Sequence, residues 1–153
     1  LQTAAIFSAN KRLKHMVERG LNTDECAEPN VFAVTAAIAA FTNGGEWLDQ
    51  LRAYIAENRR VTAEFISENI PHLHMVESHA TYLFWLDCSE ITENSTQLAE
   101  FIRSKTGLYL SAGGHYRGNG TQFLRLNAAC PRSVLLDGLE RLRQGIFAYM
   151  LQG

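Results

Sequence analysis

The stretch from Trp47 to Ile70 carries the clearest periodic signal in the chain. Trp47, Leu48, Leu51, Tyr54, Ile55, Asn58, Thr62, Phe65 and Ile66 recur at helical spacing. Asp49, Arg52, Glu57, Arg59, Arg60 and Glu64 populate the other face, where the Arg59-Arg60 pair reads as a solvated surface. Asn43-Gly44-Gly45 precedes the helix and Pro71 ends it. At 1.5 Å per residue it is about 36 Å long. A helix of that length exceeds the needs of one small core and suits an element that bridges two bodies.

Before the helix, Thr3 to Ser8 is small and apolar and predicts a buried strand. Asn10 predicts an N-cap, with Leu13, Met16 and Val17 on one helical face and Gly20 as the stop. Leu21 to Glu28 reads as loop, and Pro29 suits a first helical turn. Val31 to Thr42 is Ala-rich and apolar nearly all round, which predicts a helix buried between layers.

After the helix the period changes. Leu73 to Val76 and Tyr82 to Leu86 read as strands. Leu98, Phe101 and Ile102 form a helix face capped near Asn94 or Ser95 and ended by Gly107. Leu108 to Leu110 reads as a short strand, Ala112 to Gly120 as a glycine-rich loop, and Phe123 to Asn127 as an alternating strand. Pro131 opens a last helix with Leu135, Leu139, Leu142, Ile146 and Tyr149 on its apolar face. The order strand, strand, helix, strand, strand, helix predicts an α+β layer, with helices on a mostly antiparallel sheet.

Composition removes several function classes. Lys+Arg is 14 and Asp+Glu 16, so there is no basic excess of the kind nucleic acid or an anionic membrane selects. The longest apolar run, Val31 to Phe41, falls far short of the ~20 residues a bilayer span requires. No charged n-region, apolar h-region and cleavage site mark a signal peptide. Cys26, Cys88 and Cys130 are odd in number, far apart and without a CxxC pair, which argues against a zinc ribbon or a disulfide framework. Reduced thiols and a cytoplasmic location are the expectation. Cys88 follows an apolar run and reads as a small buried hydrophobe. The first residue is Leu1, which predicts a processed chain or a piece of something longer.

Arg125 is the most informative side chain. Alternation places Phe123, Arg125 and Asn127 on one strand face and Leu124 and Leu126 on the other. An arginine among large hydrophobes is costly unless its guanidinium has a partner. Its planar fork of donors suits a bidentate carboxylate. One reading is a substrate-carboxylate clamp; the others are a structural salt bridge to Asp or Glu and a solvated outer face. The loop around His115, Tyr116 and Arg117 carries Gly113, Gly114, Gly118 and Gly120. It reads either as a loop that closes over a ligand or as an ordinary surface hairpin. It has no strand-GxGxxG-helix context and is no nucleotide fingerprint. His72 and His74 lie two apart without a third ligand in reach, so no metal site is expected and solvated strand-edge histidines are the plain reading. His15 and His79 have no local partner, and no serine sits in a GxSxG turn.

The run Phe123-Leu124-Arg125-Leu126-Asn127-Ala128-Ala129-Cys130-Pro131-Arg132 resembles the C-terminal signature of pyridoxal-phosphate (PLP)-dependent enzymes of the aspartate aminotransferase fold. Within that fold it is most similar to the cystathionine β-lyase, or C–S lyase, subgroup that includes the maltose-regulon modulator. Gly45 to Asp49, Ala80 to Asp87, Gly113 to Gly120, and Gly20-Leu21 through Pro29-Asn30 into the Ala-rich helix match the same subgroup in the same order. The resemblance covers essentially the whole chain.

The resemblance implies an α/β enzyme piece: residues 1–43 from the end of the large PLP-binding domain, 44–70 as the long interdomain helix, and 71–153 as the small C-terminal domain. The antiparallel-rich sheet of the small domain would carry helices on one face. The implied parent is a cytoplasmic homodimer that binds PLP and cleaves small L-cysteine conjugates to thiol, pyruvate and ammonia. An aminotransferase, or a non-catalytic regulatory module on the same fold, are the alternatives. By resemblance Arg125 matches the arginine that holds the substrate α-carboxylate. Gly113, Gly114, His115 and Tyr116 would lie at the active-site mouth. Asn30 falls where the family brings a helix start toward the neighbouring subunit's cofactor phosphate. The family's Schiff-base lysine lies just before a segment like Leu1-Gln2-Thr3, as does the acidic partner of the pyridine nitrogen farther upstream, so neither is in this chain. Lys11, Lys14 and Lys105 sit on polar helix faces. Many relatives carry a phosphate-binding arginine near Gln2. The implied outcome for the isolated chain is catalytic inertness, poor PLP retention, and apolar faces of 1–43 left partly uncovered.

Overall fold

The computed structural model describes residues 3–152. The order is α1 (Lys11–Thr23), α2 (Ala33–Asn43), α3 (Gly45–Asn69), β1 (His74–Met75), β2 (Leu83–Asp87), α4 (Ser95–Thr106), β3 (Ser111–Ala112), β4 (Phe123–Asn127) and α5 (Arg132–Met150). Two single 3-10 turns, Gly113–Tyr116 and Gly120–Gln122, fill the connection from β3 to β4. The chain divides into two compact units, with the boundary between Gln50 and Leu51 inside α3.

The unit after Leu51 is built on a four-stranded antiparallel sheet in the order β1-β2-β4-β3. Phe84, Leu86, Leu124 and Leu126 face one side of the sheet and are buried. Leu98 and Ile102 from α4, and Leu135, Leu139, Leu142 and Ile146 from α5, join them in one apolar core with Ile66 from α3 and Ile70 just after it. Each such side chain contributes about 1.5–3 kcal/mol on leaving water. Helices α4 and α5 approach closely because position 145 is glycine, where a Cβ would come within 2.9 Å of Ile102. The Asn94 side chain caps α4 by accepting the Gln97 N–H. Gly107 ends that helix at φ +74°, a conformation that favours glycine.

Several expectations hold here: α3 ends just before Pro71, the strand at 123–127 alternates as read, and Pro131 opens the last helix. The strand expected at 108–110 is instead formed by Ser111 and Ala112. Leu108 and Leu110 pack into the core from an irregular segment, so their apolarity signals burial and not pairing. The glycine-rich loop is held in the two 3-10 turns.

The unit before Leu51 departs further from expectation. Residues 3–8 form no strand and are exposed. Helix α1 is capped by Asn10 as read, but it runs through Gly20 to Thr23. A Cβ at Gly20 would meet nothing within 4 Å, so no packing demand makes that glycine a stop. Pro29 does not open α2. The Asn30 side chain accepts the Phe32 N–H in a turn, and the helix starts at Ala33. Leu13 and Met16 on α1 are exposed, as are Val31, Phe32, Val34, Ile38 and Phe41 in and before α2; of α2 only Ala33 is buried. The expectation of a helix buried between layers is therefore not met within this chain, whereas that of uncovered apolar faces is.

Candidate functional site

Strand β4 places Arg125 in the middle row of the sheet. Its cross-strand neighbours are Trp85 on β2 and Ser111 on β3, all three on the face away from the core. Arg125 Nη2 donates to Ser111 Oγ at 3.2 Å. The Tyr116 ring, from the first 3-10 turn, lies with its centroid 4.9 Å from Arg125 Cζ. Trp85 holds that ring from the side, edge-on at 5.4 Å, and meets Phe123 in the same manner at 5.8 Å. Among the described residues no carboxylate pairs with Arg125. The guanidinium is half-buried, flanked by an aromatic face and a hydroxyl, and most of its donors are uncommitted. A guanidinium with donors left over can pair with an anion through charge-assisted hydrogen bonds.

The turn that carries Tyr116 is fixed by a close backbone crossing. A Cβ at Gly113 would meet the Phe123 carbonyl at 2.6 Å, the Trp85 ring at 2.8 Å and the Gly120 carbonyl; one at Gly120 would meet the Gly113 carbonyl. Of the loop residues singled out from sequence, the structure brings Tyr116 to Arg125, with Gly113 beneath it. Gly114 lies against Thr121 and Thr96. His115 is exposed and borders a different recess with Thr96, Glu100, Arg103 and Tyr109.

Sequence reasoning passed over Ser111 and Trp85. Ser111 was hidden because the strand was expected three residues earlier. Trp85 was hidden because Tyr82 to Leu86 is apolar at every position and gives no alternation to assign faces. Arg59 is a correction of a different sort. It does not lie on a solvated face: its guanidinium donates to the Ser78 and Thr81 carbonyls and stacks 4.9 Å over Phe84. Arg60 does lie on that face, between Glu57 and Glu64.

Asn30 belongs to the first unit, beside a recess bordered by Phe7, Glu18 and Leu21. Gln2 lies outside the described residues. Lys11, Lys14 and Lys105 are exposed; Lys14 faces Glu18 at 3.8 Å and Lys105 lies over Phe101. His72 Nδ1 and His74 Nε2 share the two oxygens of Glu90 at 2.9 and 3.1 Å. The bond to His72, then that to His74, holds the Glu90 carboxyl below the usual carboxylate range. Among the described residues no three His, Cys, Asp or Glu side chains converge on a metal position. No helix among them is long and apolar enough to cross a membrane.

Residues 6–142 match the family described as aminotransferase class I and II. The chain belongs to that family. Among its members, a cystathionine β-lyase of Bacillus subtilis (PatB) is 34% identical over 146 residues, which is 95% of this chain and 38% of that protein. The MalY protein of Escherichia coli is 35% identical over 125 residues, or 82% of this chain and 32% of that protein. The solved structure of a PLP-bound C–S lyase from Staphylococcus hominis superposes with a TM-score of 0.76 at 27% identity, over 90% of this chain and 36% of that one. The chain thus spans about a third of the length of the family members it matches. The mixed helix and antiparallel sheet described above is the fold these structures share with it.

Proposed function

We propose that this chain supplies the substrate-carboxylate site of a PLP-dependent C–S β-lyase acting on small L-cysteine conjugates. In that reaction the Cβ–S bond breaks, the thiol leaves, and water converts the remaining three-carbon unit to pyruvate and ammonia. The observation that carries the reading is Arg125: a half-buried guanidinium, braced by Ser111 and Tyr116, without a carboxylate partner among the described residues. Similarity to proteins named cystathionine β-lyase and C–S lyase supports the reaction class.

The covalent anchor of PLP does not fit the lysines described. All three are exposed on helices, and none is in the desolvated setting that activates a lysine amine. What this chain does is bind and orient. Two N–H groups of Arg125 grip the carboxylate, Tyr116 shields one face of the guanidinium from water, and the substrate Cα–H is held in one direction for removal. In the proposed arrangement residues 1–43 belong to the large domain, 44–70 bridge, and 71–153 form the small domain. The parent is a cytoplasmic homodimer, in which Asn30 is assigned to the neighbouring subunit's cofactor phosphate and Gly113 to Tyr116 to the site's mouth.

The test is the full-length parent with a cysteine conjugate such as cystathionine, following pyruvate release. Arg125→Lys is expected to raise KM ~100-fold, since a bidentate charged contact is lost. An unchanged KM overturns the carboxylate reading. An aminotransferase shares the carboxylate arginine, and a diaminopimelate aminotransferase of Moorella thermoacetica is 27% identical over 109 residues. Keto-acid-dependent transamination without pyruvate release would establish that second activity instead.

A further inference from the structure

Outside the Arg125 site, the most constrained polar group is an amide on α3. Asn58 is fully buried. Its Nδ2 donates to the Ala128 carbonyl at 2.8 Å and the Cys130 carbonyl at 3.2 Å, and its Oδ1 accepts from Arg132 Nε at 2.7 Å. Both faces of the amide are committed, so it cannot turn over without breaking contacts. The next residue, Arg59, reaches the Ser78 and Thr81 carbonyls and covers Phe84.

The two sets of contacts meet at one end of the sheet. Leu83, at the start of β2, is paired with Asn127, at the end of β4. Asn58 therefore holds the segment that leaves β4, and Arg59 holds the segment that leads into β2. Two residues farther along the same ladder, Trp85 stands opposite Arg125. A buried polar side chain costs more to place than an apolar one of similar size and adds little net stability when satisfied. What it adds is direction: its bonds fix where the neighbouring backbone sits.

We infer that Asn58 and Arg59 are positioning residues, which clamp the ends of β4 and β2 and thereby hold Arg125 in the geometry that receives a carboxylate. The inference rests on the reading of Arg125 given above. It predicts that the part of α3 from Leu51 onward and the carboxylate arginine behave as one rigid piece. A purely structural role would let Asn58 lower stability without touching substrate affinity.

The experiment compares four variants of the full-length parent at a temperature where circular dichroism shows each one folded. They are Arg125→Lys, Asn58→Ala, Arg59→Gln and Ile102→Ala. The last opens a cavity where α4 meets α5 and is the control for lost stability alone. Asn58→Ala and Arg59→Gln are each expected to raise KM ~10-fold with kcat within ~3-fold, because a small displacement of a binding group weakens capture of the substrate. Ile102→Ala is expected to leave KM within ~2-fold. Adding Asn58→Ala to Arg125→Lys should raise KM no further, as the two act through one contact. If Asn58→Ala and Ile102→Ala move KM alike, or Asn58→Ala does not move it, the clamp is overturned while the Arg125 reading stands. If Arg125→Lys itself leaves KM unchanged, that reading falls and the clamp falls with it. Should Asn58→Ala not fold, Arg59→Gln decides on the same criteria, since Arg59 is only half-buried.

Discussion

The Tyr116 ring centroid lies 4.9 Å from Arg125 Cζ, and the same ring is braced edge-on by Trp85. Tyr116 is itself exposed, so it acts on Arg125 as a lid on one face and leaves the edge of the fork open. Ser111 then fixes the rotation of the guanidinium through Nη2. A planar cation held by a ring and a hydroxyl keeps its edge presented in one direction, which a bidentate anion needs.

It follows that the ring matters more than the phenol. If Arg125 holds the substrate carboxylate as proposed, Tyr116→Phe should leave KM near that of the unmodified enzyme. Tyr116→Ala should raise it ~2- to 5-fold, matching a cation–π contact of about 0.5–1 kcal/mol at a partly exposed site. Ser111→Ala should act in the same direction by a similar factor, as the loss of one modest hydrogen bond. Steady-state KM values check all three. A larger effect of Tyr116→Phe than of Tyr116→Ala would contradict this account.

Much of the second unit was legible in the sequence because its signals are local. Asn94 and Gly107 delimit α4 through a cap and a left-handed residue, and β4 alternates because one face is buried. What was not legible depends on partners far away in the chain. Arg59 was read as solvated because its acceptors, Ser78 and Thr81, are about twenty residues off. Asn58 looked like one more residue on the inner helix face, and its bonds to Ala128 and Cys130 cross 70 residues or more. Ser111 was lost to a strand shift of a few residues, which periodicity cannot exclude for so short an element. In the first unit, the apolar run from Val31 to Phe41 predicts burial, yet Val31, Phe32, Val34, Ile38 and Phe41 are exposed, because apolarity in a sequence does not name the surface that would cover it.

The crossing of Gly113 and Gly120 makes a stability prediction. A Cβ on Gly120 would overlap the Gly113 backbone, with no flexible side chain able to yield. Gly120→Ala should therefore cost about 1–3 kcal/mol, as for overpacking of a filled interior. Urea unfolding should show a lower midpoint with unchanged slope. Gly45→Ala is the contrast: its Cβ would enter open space at the start of α3, and stability should hold or rise by up to ~1 kcal/mol.

The three thiols should separate by reactivity. Burial, with the Asp87 charge beside it, pushes the Cys88 thiol up to about 12, and its Sγ donates to the Gln122 carbonyl at 3.0 Å. Burial also raises the Cys130 thiol, whereas Cys26 is exposed. A chromogenic disulfide reagent at pH 8 should titrate Cys26 first, Cys130 more slowly, and Cys88 only on unfolding. Cys26→Ser should remove the fast phase. The linkage sign follows. An acid raised by folding stays neutral in the native state while the unfolded chain ionises. Cys88 therefore contributes stability below about pH 9 that is lost as pH climbs toward 12. Cys88→Ala should flatten that alkaline decline relative to the unmodified chain.

The last prediction concerns the uncovered stripe on α2. Val34, Ile38 and Phe41 recur at helical spacing on one face, and Phe41 is 83% exposed. Phe32, just before the helix, is 70% exposed. Apolar area of this kind gains about 25 cal/mol per Å² when it leaves water, and contiguous exposed patches drive association. The 153-residue chain should therefore self-associate, with a light-scattering mass that rises with protein concentration. Ile38→Glu together with Phe41→Glu should lower that mass toward the monomer value. It should leave the unfolding midpoint of the second unit unchanged, because neither side chain belongs to its core. A strict monomer for the unmodified chain at high concentration, or an assembly insensitive to the double substitution, would show that this stripe is not what drives association.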